Sequence, residues 1–311
     1  MTDSVPDAVD ARVAASAPPL GRPPARFAGL RRRAVQFFTM PTGFFGAAIL
    51  VIVIGTALFA PLIVSPADLD VTKVSGPSLN PPLAGYPLGT DQAGRSVLDL
   101  VIWGTRSSLV VGLIATALTV VVGTTIGLVA GHYGGWISRL LMQVTDWFIA
   151  LPGLPLAISL AAVLGQGNAS IIIAIAVTSW TGTARLVRAQ TLAVSARPFV
   201  ERAKALGAGD GQVMRRQILP SVVPIVLVTS TLKIADSILS AATLTFLGLG
   251  NPMDVSWGSI LNSALGQGAL TAGAWWYLIP PGVAILIVVL GFTLCGRALE
   301  TIINPRTETA R

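Results

Sequence analysis

The sequence predicts an all-α integral membrane protein with six transmembrane helices and both termini on the cytoplasmic side. Composition is the first observation behind this. Of 311 residues, 53% are hydrophobic and only 11% charged, against roughly 25% charged in a soluble domain. The mean hydropathy of +0.74 exceeds what a water-exposed surface could hide. The second observation is a set of six apolar runs, each long enough to cross the ~30 Å hydrocarbon core as a helix that satisfies its own backbone groups. The third is the placement of positive charge. Seventeen Lys and Arg fall in the N-terminal tail, in the second-to-third and fourth-to-fifth connections and in the C-terminal tail. The other connections hold only Lys73, Arg95 and Arg106, and basic connections stay cytoplasmic.

Residues 1–42 are rich in Ala, Pro and Arg without apolar periodicity, and are expected to form a disordered basic tail ending in Arg31-Arg32-Arg33. The first run, about 43–64, is too long for a signal-peptide core and reads as an uncleaved span. Residues 43–84 therefore hold the first helix and the start of an outer connection. The remaining runs lie at about 108–131, 144–165, 169–187, 221–247 and 275–296. Pro152 and Pro155 in the third, and Pro280 and Pro281 in the sixth, should kink or break their helices. Gly112, Ala115, Thr119, Gly123 and Gly127 recur every three to four positions in the second run, a spacing that permits close helix packing. The partner of that stripe is left open between an internal helix and a second subunit.

A net charge of +7 in a soluble protein would suggest nucleic acid. Here the basic residues flank apolar runs, so lipid is the expected partner and nucleic acid is not. Cys295 and His132 are the only residues of their kinds, which leaves no ligand set for a zinc site or other metal centre. A membrane-bound enzyme is disfavoured because no nucleophile–base set stands out. The few charges inside spans are Asp146, Lys233 and Asp236. Lys233 and Asp236 share a helix face and either neutralise each other or line a translocation path. Asp146, near the cytoplasmic end of its span, is read as a structural brace against Arg139 or the loop arginines. Trp275 and Trp276, at the edge of the last run, read as interface anchors.

The fourth-to-fifth connection, 197–220, is the most informative stretch. Pro198 suits a helix start and residues 199–206 are good helix formers. Gly207 is a natural stop in the left-handed conformation. A second short helix over about 210–218 would be capped by Gly209 or Asp210, and Pro220 would open the fifth span. Such a knob offers Ala203, Ala205 and Leu206 to a cleft and Glu201, Arg202 and Lys204 to its rim, unless the loop serves only to fix topology.

Glu201-Arg202-Ala203 followed by Gly207 and then Leu219-Pro220 resembles the EAA loop of binding-protein-dependent ABC importers, with Arg202 in place of the first Ala of the motif. Further segments resemble the dipeptide, oligopeptide and nickel permease group, in order. They are Pro87-Leu-Gly-Thr-Asp-Gln-Ala-Gly-Arg95-Ser-Val-Leu98, Tyr133-Gly-Gly-Trp136, Asp146 before Pro152, Ser179-Trp180, Ala184-Arg185-Leu-Val-Arg188-Ala-Gln190, Phe246-Leu-Gly-Leu-Gly250 and Ser256-Trp-Gly258. Together they cover about 85–305 and point to the C-type permease subunit, with 306–311 as a short cytoplasmic tail.

The resemblance implies a type I importer permease fold in the cytoplasmic membrane of a prokaryote. It also implies a sister permease, two cytoplasmic ATPase subunits and an extracytoplasmic solute-binding protein. The coupling residues would be Glu201, Arg202, Ala203, Lys204, Ala205, Leu206, Gly207, Leu219 and Pro220. Asn251 and Trp257, in and beside the loop after the fifth span, are candidate contacts for the binding protein. ATP and magnesium would sit on the partner ATPase, since the chain has no phosphate-binding Gly-Lys-Ser/Thr and none of its three lysines follows a Gly. Peptide import is the leading expectation, with a nickel or nickel-chelate permease as alternative. A secondary transporter is more distant, because no inverted repeat is evident.

Overall fold

The computed structural model describes residues 35–303. Among them there is no β-strand, only two isolated bridges in the segment before the second span. Five helices are long and apolar enough to cross a membrane: α1 (Pro41–Ile63), α3 (Val97–His132), α6 (Asn168–Ser195), α9 (Leu219–Phe246, continuous with the turns from Asp210) and α11 (Trp275–Ile303). A bent pair, α4 (Gly135–Ala150) and α5 (Gly153–Leu164), set at 92° to each other, is together long and apolar enough for a broken sixth span or a re-entrant loop. The shorter helices are α2 (Pro66–Leu69), α7 (Pro198–Ala205), α8 (Asp210–Val213) and α10 (Trp257–Gly266).

The break in the third span falls where proline chemistry puts it. Leu151, which precedes Pro152, is extended at φ −82° and ψ 136°, the region to which a following proline pushes a residue. At ~1.5 Å per residue α5 is only about 18 Å long, so it is a half-span. The pair Pro280-Pro281 behaves differently: α11 runs unbroken through both. They are its sixth and seventh residues, so the two bonds they cannot donate would go to the carbonyls of Trp276 and Tyr277 in the first turn, and the ladder beyond is left intact.

Several boundaries differ from the expected ones. Residues 35–39 are helical and α1 begins at Pro41, so irregular chain does not reach residue 42. The arginines of the basic tail, and residues 306–311, lie outside the described residues. The second span starts at Val97 rather than 108, because Ser96 accepts a hydrogen bond from the Asp99 amide and caps the helix well ahead of the apolar run.

Helix α3 is the spine of the molecule, packed most extensively against α6. The small-residue stripe explains the contact. A Cβ on Gly123 would lie 2.7 Å from the Trp180 carbonyl oxygen, and one on Gly127 2.6 Å from that of Ala184. At Gly112 it would lie 2.3 Å from Ile238 of α9. The stripe therefore serves internal packing on two sides. Helix α1 lies outside this unit, against α11 and α3, with Gly46 pressed on the Cys295 backbone.

Before the second span, residues 70–96 fold into a compact segment. Asp91 is fully buried and pairs with Arg95 at 2.7 Å. The Thr90 hydroxyl donates to the Pro77 carbonyl and accepts from the Asn80 amide. Trp276 is 9% exposed and its indole N–H donates to the Thr90 carbonyl at 3.2 Å. That residue pins the outer segment from within, and only Trp275, 55% exposed, is free to anchor at an interface.

Candidate functional site

The loop 197–220 folds as a short exposed helix followed by a sharp corner. Arg197 precedes α7 in extended conformation and Pro198 takes its first position. At the far end Gly207 has φ +86°. Its amide donates to the Lys204 carbonyl at 2.9 Å and the Ala208 amide to the Ala203 carbonyl at 3.0 Å. These two bonds make a Schellman corner, which needs a left-handed residue at that position. Space is not the constraint, since a Cβ on Gly207 would meet nothing within 4 Å; backbone strain alone favours glycine.

The second half of the loop departs from the expected separate helix. Gly209, not Asp210, precedes α8 as its cap, and α8 passes through a π-turn, Met214–Ile218, directly into α9. The Leu219 amide reaches back five residues to the Met214 carbonyl. This widening sits just before Pro220, whose ring would clash with the carbonyl four residues back in a regular α-helix. Pro220 thus lies inside a continuous helix instead of opening one.

The knob has an apolar root and a polar tip. Val200, Val213 and Ile218 are fully buried in one cluster with Leu128 of α3, Val187 and Val194 of α6, and Val222 and Val226 of α9. Glu201, Arg202, Lys204, Ala205 and Gly207 are exposed, Ala203 is partly so, and Leu206 is 89% exposed. Leu219 packs against the root cluster, so it belongs to the base and not to the presented face.

His132 completes the anchorage. It ends α3, is 2% exposed, and its Nε2 lies 3.0 Å from Asp210 Oδ1 across the corner. A carboxylate only accepts, so the shared proton is on Nε2. Nδ1 is buried with no partner among the described residues. The sequence singles out His132 only for its rarity; its signal, the last position of the long second helix, depends on a helix boundary that the apolar run alone does not give.

Deeper in the membrane, Lys233 Nζ lies 3.3 Å from Asp236 Oδ2 on α9. The pair lines an open cavity of about 290 Å³ together with Gly153, Leu154, Thr178, Ser179 and Ser240. The pairing read from sequence is therefore present, and the paired charges also face open space. Of the two braces read for Asp146, the structure has the second: Arg185 of α6, one of the arginines counted with the fourth-to-fifth connection, lies 2.6 Å away, and Arg139 does not pair with it. Arg139 forms no ion pair among the described residues and lines a cavity of about 640 Å³ with Asp146 and Arg188. Arg139 sits two turns, about 10 Å along the axis, from Asp146 on the same helix.

A family model described as "Binding-protein-dependent transport system inner membrane component" matches residues 123–309. The chain belongs to this family. Among its relatives is a glutathione transport system permease protein, GsiD, of Pectobacterium atrosepticum, 37% identical over 229 residues that cover 73% of this chain and 75% of that one. A dipeptide transport system permease protein, DppC, of Alkalihalophilus pseudofirmus is 35% identical over 81% of this chain and 82% of its own length. The GsiD permease of Escherichia coli O157:H7 is 37% identical over 84% of this chain and 86% of its own. The crystal structure of an amino acid ABC transporter with histidines is similar at TM-score 0.49 and 18% identity, over 67% of this chain and 94% of that one, too slight a likeness to add weight. The protein is thus a multi-pass permease of the inner membrane, in a family of transport components and not of catalytic subunits.

On the face of the permease opposite the knob, the loops at the ends of α5, α6 and α9 are tied together. The Gly167 amide donates to the Leu249 carbonyl and the Gln166 side chain to that of Gly248. The Asn168 amide group bonds Asp254. Asn251 turns its side chain back onto the Met253 amide, leaving Met253 91% exposed. Trp257 corrects the sequence reading. It is 1% exposed, and its indole N–H donates to the Val101 carbonyl at 3.0 Å, so it holds α10 against α3 and offers nothing to a partner. Nearby, a cavity of about 510 Å³ is lined by Asp70, Arg95, Trp103, Met253 and Asp254. The Thr72 hydroxyl and amide both donate to Asp70 and hold its carboxyl below the ordinary carboxylate range.

Proposed function

We propose that this chain is the C-type permease subunit of an ATP-driven importer of short peptides, coupled to separate ATPase subunits through the 197–207 helix and its corner. The observation that carries the reading is the knob itself: an exposed helix whose root is packed on the ends of three spans. A displacement of α7 must move α6, which leads into it, and α9, which continues from the corner. That is the architecture a chain needs when its energy comes from another subunit's nucleotide cycle.

In this reading the knob faces the cytoplasm, as the basic connections require, and both termini lie on that side. ATP and magnesium are held by two partner ATPases, and this chain binds neither. A sister permease supplies the other half of the path, and a solute-binding protein docks on the opposite face, around Asn251 and Met253. Peptide as cargo is supported by the relatives, which are named for glutathione and dipeptide transport.

Cross-linking tests the coupling. With Ala205→Cys in membranes holding the whole assembly, a short bifunctional reagent should join this chain to an ATPase subunit, with a yield that changes on adding ATP. An adduct that never contains an ATPase would remove the knob from the coupling path.

A further inference from the structure

Three helices can be measured from the loops that tie their ends on the face opposite the knob. At about 1.5 Å per residue, Gly153 lies ~17 Å below the end of α5, Thr178 ~15 Å below the start of α6, and Asp236 and Lys233 ~15 and ~20 Å below the end of α9. The hydrocarbon core is about 30 Å thick. The cavity these residues line is therefore at the midplane. A charge there must face protein or water, and Asp236 is 69% exposed on the isolated chain.

The groups that meet at this depth are chemically complementary to a dipolar ligand. Asp236 offers a carboxylate, Lys233 an ammonium, and Thr178, Ser179 and Ser240 hydroxyls. The broken third span adds its own polarity. Pro152 caps α5 without a side-chain bond, so the amides of Gly153 and Leu154, both residues of the cavity lining, have no intrahelical acceptor. Half-helix ends of this kind suit an anionic group at membrane depth.

The geometry points to a midplane site for a zwitterionic solute, in which Asp236 takes an ammonium group while Lys233 and the start of α5 take a carboxylate. The Lys233–Asp236 pair is the resting state of this site, each charge neutralising the other until a ligand with both charges replaces the contact. The inference rests on the peptide-import reading and narrows it to solutes with both termini free.

A thiol placed in the cavity reads its occupancy directly. The complete importer carrying Leu239→Cys, in nanodiscs and without binding protein, is labelled with a charged thiol reagent in the presence of dialanine or of N-acetyl-dialanine amide. The parent importer, in which this chain has only the buried Cys295, gives the background. Dialanine should slow labelling and the blocked analogue should not. Adding Asp236→Asn or Lys233→Gln should raise the dialanine concentration needed about 10-fold or more, the loss expected when a charged partner is removed. Equal protection by both compounds, or by neither, overturns the site, and this comparison needs no charge variant to assemble. Uptake of labelled dialanine with binding protein present is scored separately. Protection without uptake keeps the site and sinks the peptide-import reading; uptake without protection does the reverse.

Discussion

At the scale of single residues, the 197–220 loop depends on one conformation and one cross-link. Gly207 supplies the left-handed corner, and the bond from His132 to Asp210 fastens that corner to the end of α3. The histidine is buried while the aspartate is 62% exposed, so the bond is weaker than a buried charged one and is worth about 1 kcal/mol. His132→Phe keeps the ring that packs edge-on against Tyr133 at 5.1 Å and removes only the donor. Solute imported per ATP hydrolysed should then fall roughly five-fold, as that energy implies. His132→Gln, which restores a donor, should recover much of the ratio. An unchanged ratio in the phenylalanine variant would show that the contact transmits nothing.

At the scale of elements, the seam between α3 and α6 decides whether the spine holds. One added methyl group has opposite consequences at two glycines. Gly127→Ala would drive a Cβ against the Ala184 carbonyl and the Val187 side chain, costing about 1–3 kcal/mol as overpacking does. Gly55→Ala on α1 meets nothing within 4 Å and should gain up to about 1 kcal/mol from helix propensity. Thermal unfolding of the purified complex should separate the two in sign; equal shifts would mean the seam is looser than its geometry. The stripe itself is legible in the sequence, because close helix packing leaves a periodic trace. So are the six apolar runs, the Pro152 break and the Gly207 corner, each a local consequence of chain chemistry. What is not legible depends on neighbours far along the chain. Asp146 finds Arg185 instead of Arg139, Trp257 and Trp276 turn inward to distant carbonyls, and α8 fuses with α9 through a π-turn. His132 gains its role only because α3 runs past the apolar run to meet Asp210.

At the scale of the whole molecule, the permease leaves two groups uncovered that its own packing does not reach. Its apolar clusters are internal, yet Asp236 stands exposed at midplane depth and Leu206 at the tip of the knob. Both exposures are unfavourable for an isolated chain. A carboxylate facing lipid costs at least about 2.5 kcal/mol, and in the proposed importer a second wall, from the sister permease, shields it. In the same proposal the exposed leucine is covered by a cleft of an ATPase subunit. Neither exposure is closed by this chain itself. Reconstituted alone in liposomes it should therefore hydrolyse no ATP and concentrate no solute, whereas both activities should appear together when sister permease, ATPases and binding protein are added. Concentrative uptake by the lone chain, driven by an ion gradient, would instead make it a self-sufficient secondary transporter and leave the knob without a purpose.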